Sequence, residues 1–530
     1  MPLRSMPQAD ARKRLLVLAC CVLGWLAMIS ARLVWVQVYR YSDYLAKAEK
    51  QQQRTIEVAP KRGNIYDRNG NALAMTVQVD SVFAVPIEMP NEAKANTAQI
   101  LAGLLKLDAR ELLQRFENPA YKNFTWVARK VNAETAARIR SLNLHGVAFQ
   151  KESKRFYPNH ELAAQVLGGV GTDDKGLAGI EQQEDDSLHG IEGKMLVSLD
   201  AKRRPFGRIE KEPEAGENLV LTIDQNIQFI AERELRDAVE RTHAESGTVV
   251  VQDPKTGEVL ALANWPTFDP NDMGHLQPKV LKDHAVSDVY EPGSTFKMVT
   301  VAAAIDERLT TPNENFDCQM GSITFNGYRI HDWHPFGVLS VAGILQHSSD
   351  VGAIKIALRL GNDRFYKYIR GFGFGTKTGI ELPGESRGMT KPPNRWSAAS
   401  IGSMAMGQEI AVTPLQLATM TSAMANDGIY TPSRIIEGVV APNGKPTGVK
   451  YKMPDQYRVI SRVTSAEMRS MLEQVVVIGG GKKAQLNGWT AAGKTGTAQK
   501  IDPKTHHYGS KDIASFSGFA PVNNPAITVL

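Results

Sequence analysis

Tyr290-Glu291-Pro292-Gly293-Ser294-Thr295-Phe296-Lys297-Met298-Val299-Thr300 is the stretch around which the chain is organised. Pro292 and Gly293 punctuate it before an apolar run, Phe296, Val299, Val301, Ala302 and Ile305, that reads as a helix. Ser294 therefore falls at or beside the helix start. Lys297 follows three residues later, a spacing that puts both side chains on one helical face, near enough for an amine to take a proton from a hydroxyl. The unpaired N–H groups of a helix N-terminus also favour negative charge developing at an attacked carbonyl. Serine and lysine share this spacing on many ordinary surface helices, so the pair alone decides nothing.

Two partner motifs follow in order. Ser348-Ser349-Asp350 lies within Leu345-Gln346-His347-Ser348-Ser349-Asp350-Val351-Gly352, and Lys494-Thr495-Gly496-Thr497 lies within Ala491-Ala492-Gly493-Lys494-Thr495-Gly496-Thr497-Ala498. The trio S-x-x-K, S-D-N type and K-T-G is the pattern of penicillin-binding proteins and class A β-lactamases, and its order and wide spacing make it specific. A second K-T-G, Lys377-Thr378-Gly379, sits in a Gly-rich loop. The chemistry needs a rigid strand edge that presents N–H and hydroxyl groups, which suits Lys494-Thr495-Gly496-Thr497 better, with Gly496 allowing close approach of a substrate.

The 530 residues have room for two or three domains, with 42% hydrophobic and 22% charged residues, as in folded proteins. The net charge of +6 is small for this length, and no basic run with interleaved aromatics points to nucleic acid. Cys20 and Cys21 are adjacent in an apolar run and Cys318 stands alone, so no disulfide framework can be built, and Cys318 reads as a small, partly buried side chain. His331-Asp332-Trp333-His334 with Cys318 upstream resembles a metal site only superficially. It lacks a fourth ligand at standard spacing and reads as a polar lid, so no metal and no cofactor are expected.

The chain opens with Arg4, Arg12, Lys13 and Arg14, then seventeen uncharged residues from Leu15 to Ala31, with apolar character resuming after Arg32 to Val38. That length suffices to span a bilayer, and the preceding basic residues predict a cytoplasmic N-terminus. A cleaved signal peptide fits the same pattern, but no clear A-x-A site precedes Arg32, which favours an uncleaved anchor. Residues 41–53 are polar and helix-permissive, a stalk. Arg62-Gly63-Asn64-Ile65-Tyr66-Asp67-Arg68-Asn69-Gly70 forms a turn-rich patch whose charges read as surface groups, with Asn69-Gly70 a hairpin signal before the strand-like Val77–Val85. Helical stretches at 91–106 and 133–142 follow, and Glu181 reads as structural because no second carboxylate stands at a defined spacing. This part is an accessory module.

From Glu217 the pattern changes. Asn218–Ile223 is a strand, Asp224 caps a helix, and Gly247–Gln252 and Glu258–Ala263 are strands joined by a tight turn. Thr413-Pro414 starts another helix. Trp489–Gln499, Ile513–Ala520 and Ala526–Leu530 complete the set as antiparallel strands. An antiparallel sheet covered by helices makes this an α+β domain. The expected organisation is a 1–14 cytoplasmic tail, a 15–38 transmembrane anchor, a 39–216 non-catalytic pedestal and a 217–530 catalytic domain.

From Lys61 onward the chain resembles a class B penicillin-binding protein, a monofunctional peptidoglycan D,D-transpeptidase, nearest the division-specific FtsI type. The resemblance is carried by Arg62–Gly70, Glu291–Lys297, Ser348–Gly352, Leu382-Pro383-Gly384-Glu385, Gly407-Gln408, Val412–Gln416 and Lys494–Ala498. Nothing resembles the glycosyltransferase domain of the bifunctional class A proteins. The resemblance implies that Ser294 attacks the penultimate D-alanine carbonyl of a stem peptide ending in D-Ala-D-Ala and leaves an acyl-enzyme. Lys297, held neutral, would be the base. Ser348 would relay the proton to the leaving amine, and Lys494 would supply positive potential and help keep Lys297 neutral. Thr495 and Thr497 would bind the terminal carboxylate, with the N–H groups of Ser294 and Thr497 as oxyanion hole. Stem peptides and β-lactams are the implied ligands, and a SEDS-family (FtsW-type) glycosyltransferase with other division proteins the implied partners.

Two departures stand out. Asp350 occupies a position where the family pattern has Asn, and an ionised carboxylate cannot donate the N–H that would hold a substrate carbonyl. Either Asp350 pairs with Lys297 and shapes that lysine's surroundings, or substrate contact differs. The chain also stops at Leu530, partway through a strand, which suggests an incomplete chain with an unpaired sheet edge. Rival readings are a serine β-lactamase or β-lactam sensor, a D,D-carboxypeptidase, an elongation-specific relative, and a non-catalytic wall scaffold.

Overall fold

The computed structural model describes residues 8–44, 53–199, 205–441, 446–450, 455–501 and 507–530. The chain divides into two compact units, one of residues 1–60 with 191–214 and one of 61–190 with 215–530. In the first, Gln8–Val34 is an α-helix continued by π-helical turns over Trp35–Tyr39. Its span from Arg12 to Tyr39 is long and apolar enough to cross a membrane. The same unit holds an antiparallel three-stranded sheet of Gln53–Val58, Gly193–Leu199 and Pro205–Lys211. Most of the expected stalk falls outside the described residues.

The second unit contains the site. Part of this unit is built on a five-stranded antiparallel sheet ordered Val259–Trp265, Gly247–Gln252, Ile527–Val529, Tyr508–Ala520 and Ala492–Ile501. The last strand in sequence is thus the middle one in space, paired on both sides, and not an open edge. On one face lies the helix Gln225–Thr242, capped by Asp224 as its sequence predicts, burying Ala231, Leu235 and Val239 against Leu260, Ala261 and Ala263. Against the other face packs Pro414–Ala425, whose Thr413 and Gln416 form a reciprocal capping box.

The serine helix, Lys297–Asp306, is buried at every position from Lys297 to Ile305. A helix apolar all round belongs in the middle of a core, and helices Asp350–Leu360, Asn362–Gly371 and Arg462–Val477 surround it. Phe296 anchors its start, fully buried with its ring 5.3 Å from Phe374 and 6.2 Å from Phe365. Truncating such a side chain to alanine costs about 3–5 kcal/mol.

The pedestal residues contribute Ile65–Tyr66, Ala72–Ala84, Thr125–Val131 and Val147–Phe156 to a seven-stranded sheet completed by Asn218–Leu221, Ile436–Val440 and Pro446–Lys450. Pedestal and catalytic residues share it through a parallel pairing of Leu219 with Ile65. Of the charges read as surface groups at the start of this region, Arg68 is exposed, but Arg62 and Asp67 are buried. Arg62 is 2% exposed and Asp67 0%. Arg62 binds Glu181 at 2.7 Å and Asp185 at 2.6 Å, while Glu181 also takes Arg155 at 2.6 Å and the Tyr157 hydroxyl at 3.1 Å. Asp67 folds the turn itself, accepting from the N–H groups of Asn69 and Asn71. Composition could not reveal this, because each carboxylate partner of the Arg62 side chain lies more than a hundred residues away.

Candidate active site

Ser294 sits in a single 3₁₀ turn, Gly293–Phe296, directly before the serine helix. Gly293 adopts φ +56°, and a Cβ there would lie 2.5 Å from the carbonyl oxygen of Thr497. Gly496 is equally confined, since a Cβ on it would meet the Pro292 carbonyl at 2.8 Å. Only glycines at these two positions let the strand Ala492–Ile501 run against the serine turn. That strand brings Lys494, buried, Thr495, half-buried, and Thr497, exposed, to the same cleft as Ser294.

The second motif occupies a tight junction between two helices. Ser348 ends Val341–His347 in the left-handed conformation, φ 60°, and Ser349 caps Asp350–Leu360 by accepting from the Gly352 N–H at 3.0 Å. A non-glycine residue in this region of backbone space needs support from its surroundings. The support is the loop that was expected to be a polar lid. Asp332 accepts from the Ser349 hydroxyl at 2.7 Å and from the N–H groups of Asp350 at 2.5 Å and Val351 at 3.1 Å. Trp333 donates its indole N–H to the His347 carbonyl at 2.8 Å. The loop therefore clamps the motif from outside, and Asp332 is a residue that sequence reasoning missed. No spacing rule links it to Asp350, 18 positions away.

These elements meet in a cleft of about 630 Å³ lined by Ser294, Ser348, Asp350, Lys494, Thr495, Gly496 and Thr497, with Asp332 and Trp333 on its wall. Lys297, fully buried, places Nζ 3.1 Å from Ser294 Oγ, 3.2 Å from Ser348 Oγ, 2.6 Å from the Ser348 carbonyl and 2.6 Å from Asp350 Oδ1. Lys494 Nζ lies 3.0 Å from Ser348 Oγ and 3.1 Å from the Thr495 carbonyl. Of the two alternatives for Asp350, the structure adopts the ion pair with Lys297. The cleft also acts on Lys494. Burial, and then the charge of Lys297, push its ammonium down to about 7, with Asp350 pulling the other way. All eight residues singled out in the motifs line or directly adjoin this one cleft. Lys377-Thr378-Gly379 does not join them. Its Thr378 N–H and hydroxyl are taken by Glu385 at 2.5 and 2.6 Å in a loop.

A serine beside a buried lysine, a second serine bridging to a second lysine, and a strand edge against the serine turn form the arrangement of acyl transfer to a hydroxyl nucleophile. Residues 247–530 match the family model of the penicillin-binding protein transpeptidase domain, and residues 57–221 that of the penicillin-binding protein dimerisation domain. The chain belongs to the penicillin-binding protein transpeptidase family. The similarity extends over nearly all of this penicillin-binding protein. It is 34% identical over 526 residues, 98% of this chain and 87% of the relative, to the probable peptidoglycan D,D-transpeptidase PenA of Neisseria meningitidis. To the peptidoglycan D,D-transpeptidase FtsI of Escherichia coli it is 33% identical over 522 residues, 98% of this chain and 86% of that one. Among solved structures, penicillin-binding protein 3 of Mycobacterium tuberculosis complexed with aztreonam superposes with a TM-score of 0.71 at 32% identity, covering 89% of this chain and 90% of that one.

Proposed function

We propose that this penicillin-binding protein is a membrane-anchored peptidoglycan D,D-transpeptidase that crosslinks stem peptides through an acyl-enzyme on Ser294, in septal wall synthesis. The observation that carries this reading is the meeting of Ser294, Lys297, Ser348 and Lys494 within 3.2 Å steps in one cleft. Similarity to relatives named as D,D-transpeptidases, one of them FtsI, supports the substrate and the division role. In this reading Ser294 attacks the penultimate D-alanine carbonyl, Lys297 takes its proton, and Ser348 returns a proton to the departing D-alanine. The hydroxyls of Thr495 and Thr497 hold the terminal carboxylate, Gly496 admits the substrate to the strand edge, and the N–H groups of Ser294 and Thr497 stabilise the oxyanion. Asp350 acts on Lys297. An amine of a neighbouring stem peptide then takes the acyl group.

Residues 1–14 form the cytoplasmic tail and 15–38 the anchor in the cytoplasmic membrane, with the 39–216 pedestal and the 217–530 catalytic domain outside the cytoplasm. Basic residues ahead of the apolar helix support this orientation. In this reading its partners are a SEDS-family (FtsW-type) glycosyltransferase and other division proteins, which similarity to FtsI supports. The deciding experiment is intact mass after incubation with benzylpenicillin, followed by peptide mapping. A stable adduct on the Ser294 peptide, absent in Ser294→Ala, is expected; a folded chain that stays unmodified and consumes no penicillin would sink the reading.

A further inference from the structure

For Ser294 to attack, its hydroxyl proton has to find a base, and the nearest amine is not free to be one. Lys297 Nζ lies between Asp350 Oδ1 and the Ser348 carbonyl oxygen, each at 2.6 Å. Both groups accept hydrogens and donate none, and an opposite charge at this range favours the ammonium form. An ammonium ion has no lone pair with which to take a proton. Lys494 is placed differently. Its neighbours are the Ser348 hydroxyl at 3.0 Å and the Thr495 carbonyl at 3.1 Å, and among the described residues no carboxylate pairs with it. Ser348 Oγ stands between the two amines, 3.2 Å from Lys297 and 3.0 Å from Lys494. A hydroxyl is the one group in the cluster that can receive a hydrogen on one side while giving its own on the other.

We propose that the acylation proton of this enzyme ends on Lys494, because Asp350 keeps Lys297 charged: Lys297 passes a hydrogen through the Ser348 hydroxyl to Lys494 while taking the hydrogen of Ser294. The inference rests on Ser294 being the nucleophile. In the step, Ser294 Oγ forms its bond to the acyl carbon and loses its hydrogen to Lys297. Lys297 hands one of its three hydrogens to Ser348 Oγ, and the original Ser348 hydrogen forms the new N–H bond on Lys494. Lys297 begins and ends as an ammonium ion. When the acyl C–N bond breaks, Lys494 returns its hydrogen to Ser348 Oγ while the Ser348 hydrogen forms the new N–H bond on the leaving nitrogen, which leaves Lys494 neutral again. No oxidant, metal or further base is required.

The surroundings of Lys494 leave it suited to this role. Lys297 on the serine helix and Asp350 on the helix Asp350–Leu360 are the charges that act on it, and burial is the largest influence, pushing it down to about 7. The helix Arg462–Val477 packed behind its strand buries Thr464, Ser465, Met468, Met471, Leu472, Val475 and Val476, none of them charged. On the neighbouring strand Ser517 stands opposite Lys494, and the charges Lys511 and Asp512 lie at the far end, where Asp512 faces Gln499. His331, Asp332 and His347 line the same cleft from the clamp side.

The test uses the full chain in detergent and reads the second-order rate constant for acylation by benzylpenicillin between pH 5 and 9, on the wild type, Lys494→Arg and Asp350→Asn. The wild type should gain rate with pH through an acid limb near 7, where Lys494 sheds its proton. Arginine keeps the positive charge but cannot accept a proton, so Lys494→Arg should lose about a hundredfold or more in rate, the size of a general-base contribution, and lose the limb. Lys494→Arg acylating within about threefold of wild type, with the limb intact, overturns the proposal and leaves Lys494 as a source of potential only. Asp350→Asn removes the anion that keeps Lys297 charged and that acts on Lys494, so the limb should leave its wild-type position. This second arm decides the matter if Lys494→Arg folds poorly, and a limb that stays put in Asp350→Asn also overturns the proposal. Absence of any Ser294 adduct on the wild type is a separate outcome, which removes the nucleophile reading and the proposal with it.

Discussion

Two buried charge clusters in this molecule are made of the same materials and do opposite things. In the pedestal, the side chains of Arg62 and Arg155 are each at most 2% exposed and share Glu181, with Asp185 also bound to Arg62. Burial works against the Arg62 charge, yet Glu181 and Asp185 outweigh it and hold the guanidinium above its ordinary value. Burial, with Glu181 adding to it, likewise pushes the Tyr157 phenol well above its usual range. In the cleft, Asp350, its side chain 31% exposed, pairs with buried Lys297, while buried Lys494 has no carboxylate partner among the described residues and is driven towards neutrality. In the pedestal cluster each guanidinium has a carboxylate partner. The cleft has one anion too few, so a proton can move at neutral pH.

The comparison breaks most visibly at Lys297. Replacing it with Met should lower the benzylpenicillin acylation rate by about a hundred- to ten-thousandfold while the melting temperature changes little, since Asp350 can turn to solvent. Stopped-flow acylation beside a melting curve checks both. Glu181→Gln should do the reverse. It leaves Arg155 without a carboxylate, and breaking a buried pair costs about 3–5 kcal/mol, so chemical denaturation should show a large loss of stability. Acylation per folded molecule should stay near wild type, and a selective loss of rate at unchanged stability would tie the pedestal cluster to the chemistry instead.

Asp283 sharpens the contrast as a buried carboxylate with no cation. It is buried, accepts from Asn264 and Ala285, has one oxygen without a partner, and burial raises it from 3.8 to about 6. The folded state therefore holds this proton more tightly than the unfolded one. Its stabilising contribution is complete below about pH 4 and is lost as pH rises through about 6, on the order of 3 kcal/mol. Asp283→Asn should flatten that part of the stability profile in denaturant titrations at pH 4, 5, 6 and 7. The smallest effect expected is for Asp332→Asn, which keeps one acceptor of the clamp and should cost about 1–3 kcal/mol with a modest fall in acylation. Acylation unchanged in a variant that has lost the Ser349 contact would show that Ser348 needs no clamp.

How far the sequence carried can be followed residue by residue. Asp224, Thr413 and Asn69-Gly70 work as local signals in the folded protein because capping and turn formation depend on neighbours within four positions. The long apolar N-terminal helix was equally legible, being a matter of length and apolarity. Ser294 with Lys297 could be placed on one helical face from spacing alone. The choice of Lys494 over Lys377 followed from strand against loop. What stayed hidden was every property set by a partner far along the chain: the burial of Arg62, the clamp of Asp332, and the central place of Ile527–Val529 between two strands that precede it.

By itself, the sequence determined the order of the three motifs, the apolar N-terminal helix, the alternation of strands and helices, and the presence of a carboxylate at position 350. Only the tertiary structure decided what that carboxylate does. The backbone of Asp350, held by Asp332, aims its side chain at Lys297, and the strand beside the serine turn brings Lys494 to the other side of Ser348. Protonation depends on distance and burial, both of which arise when segments separated by 51 and 146 residues come together around one hydroxyl.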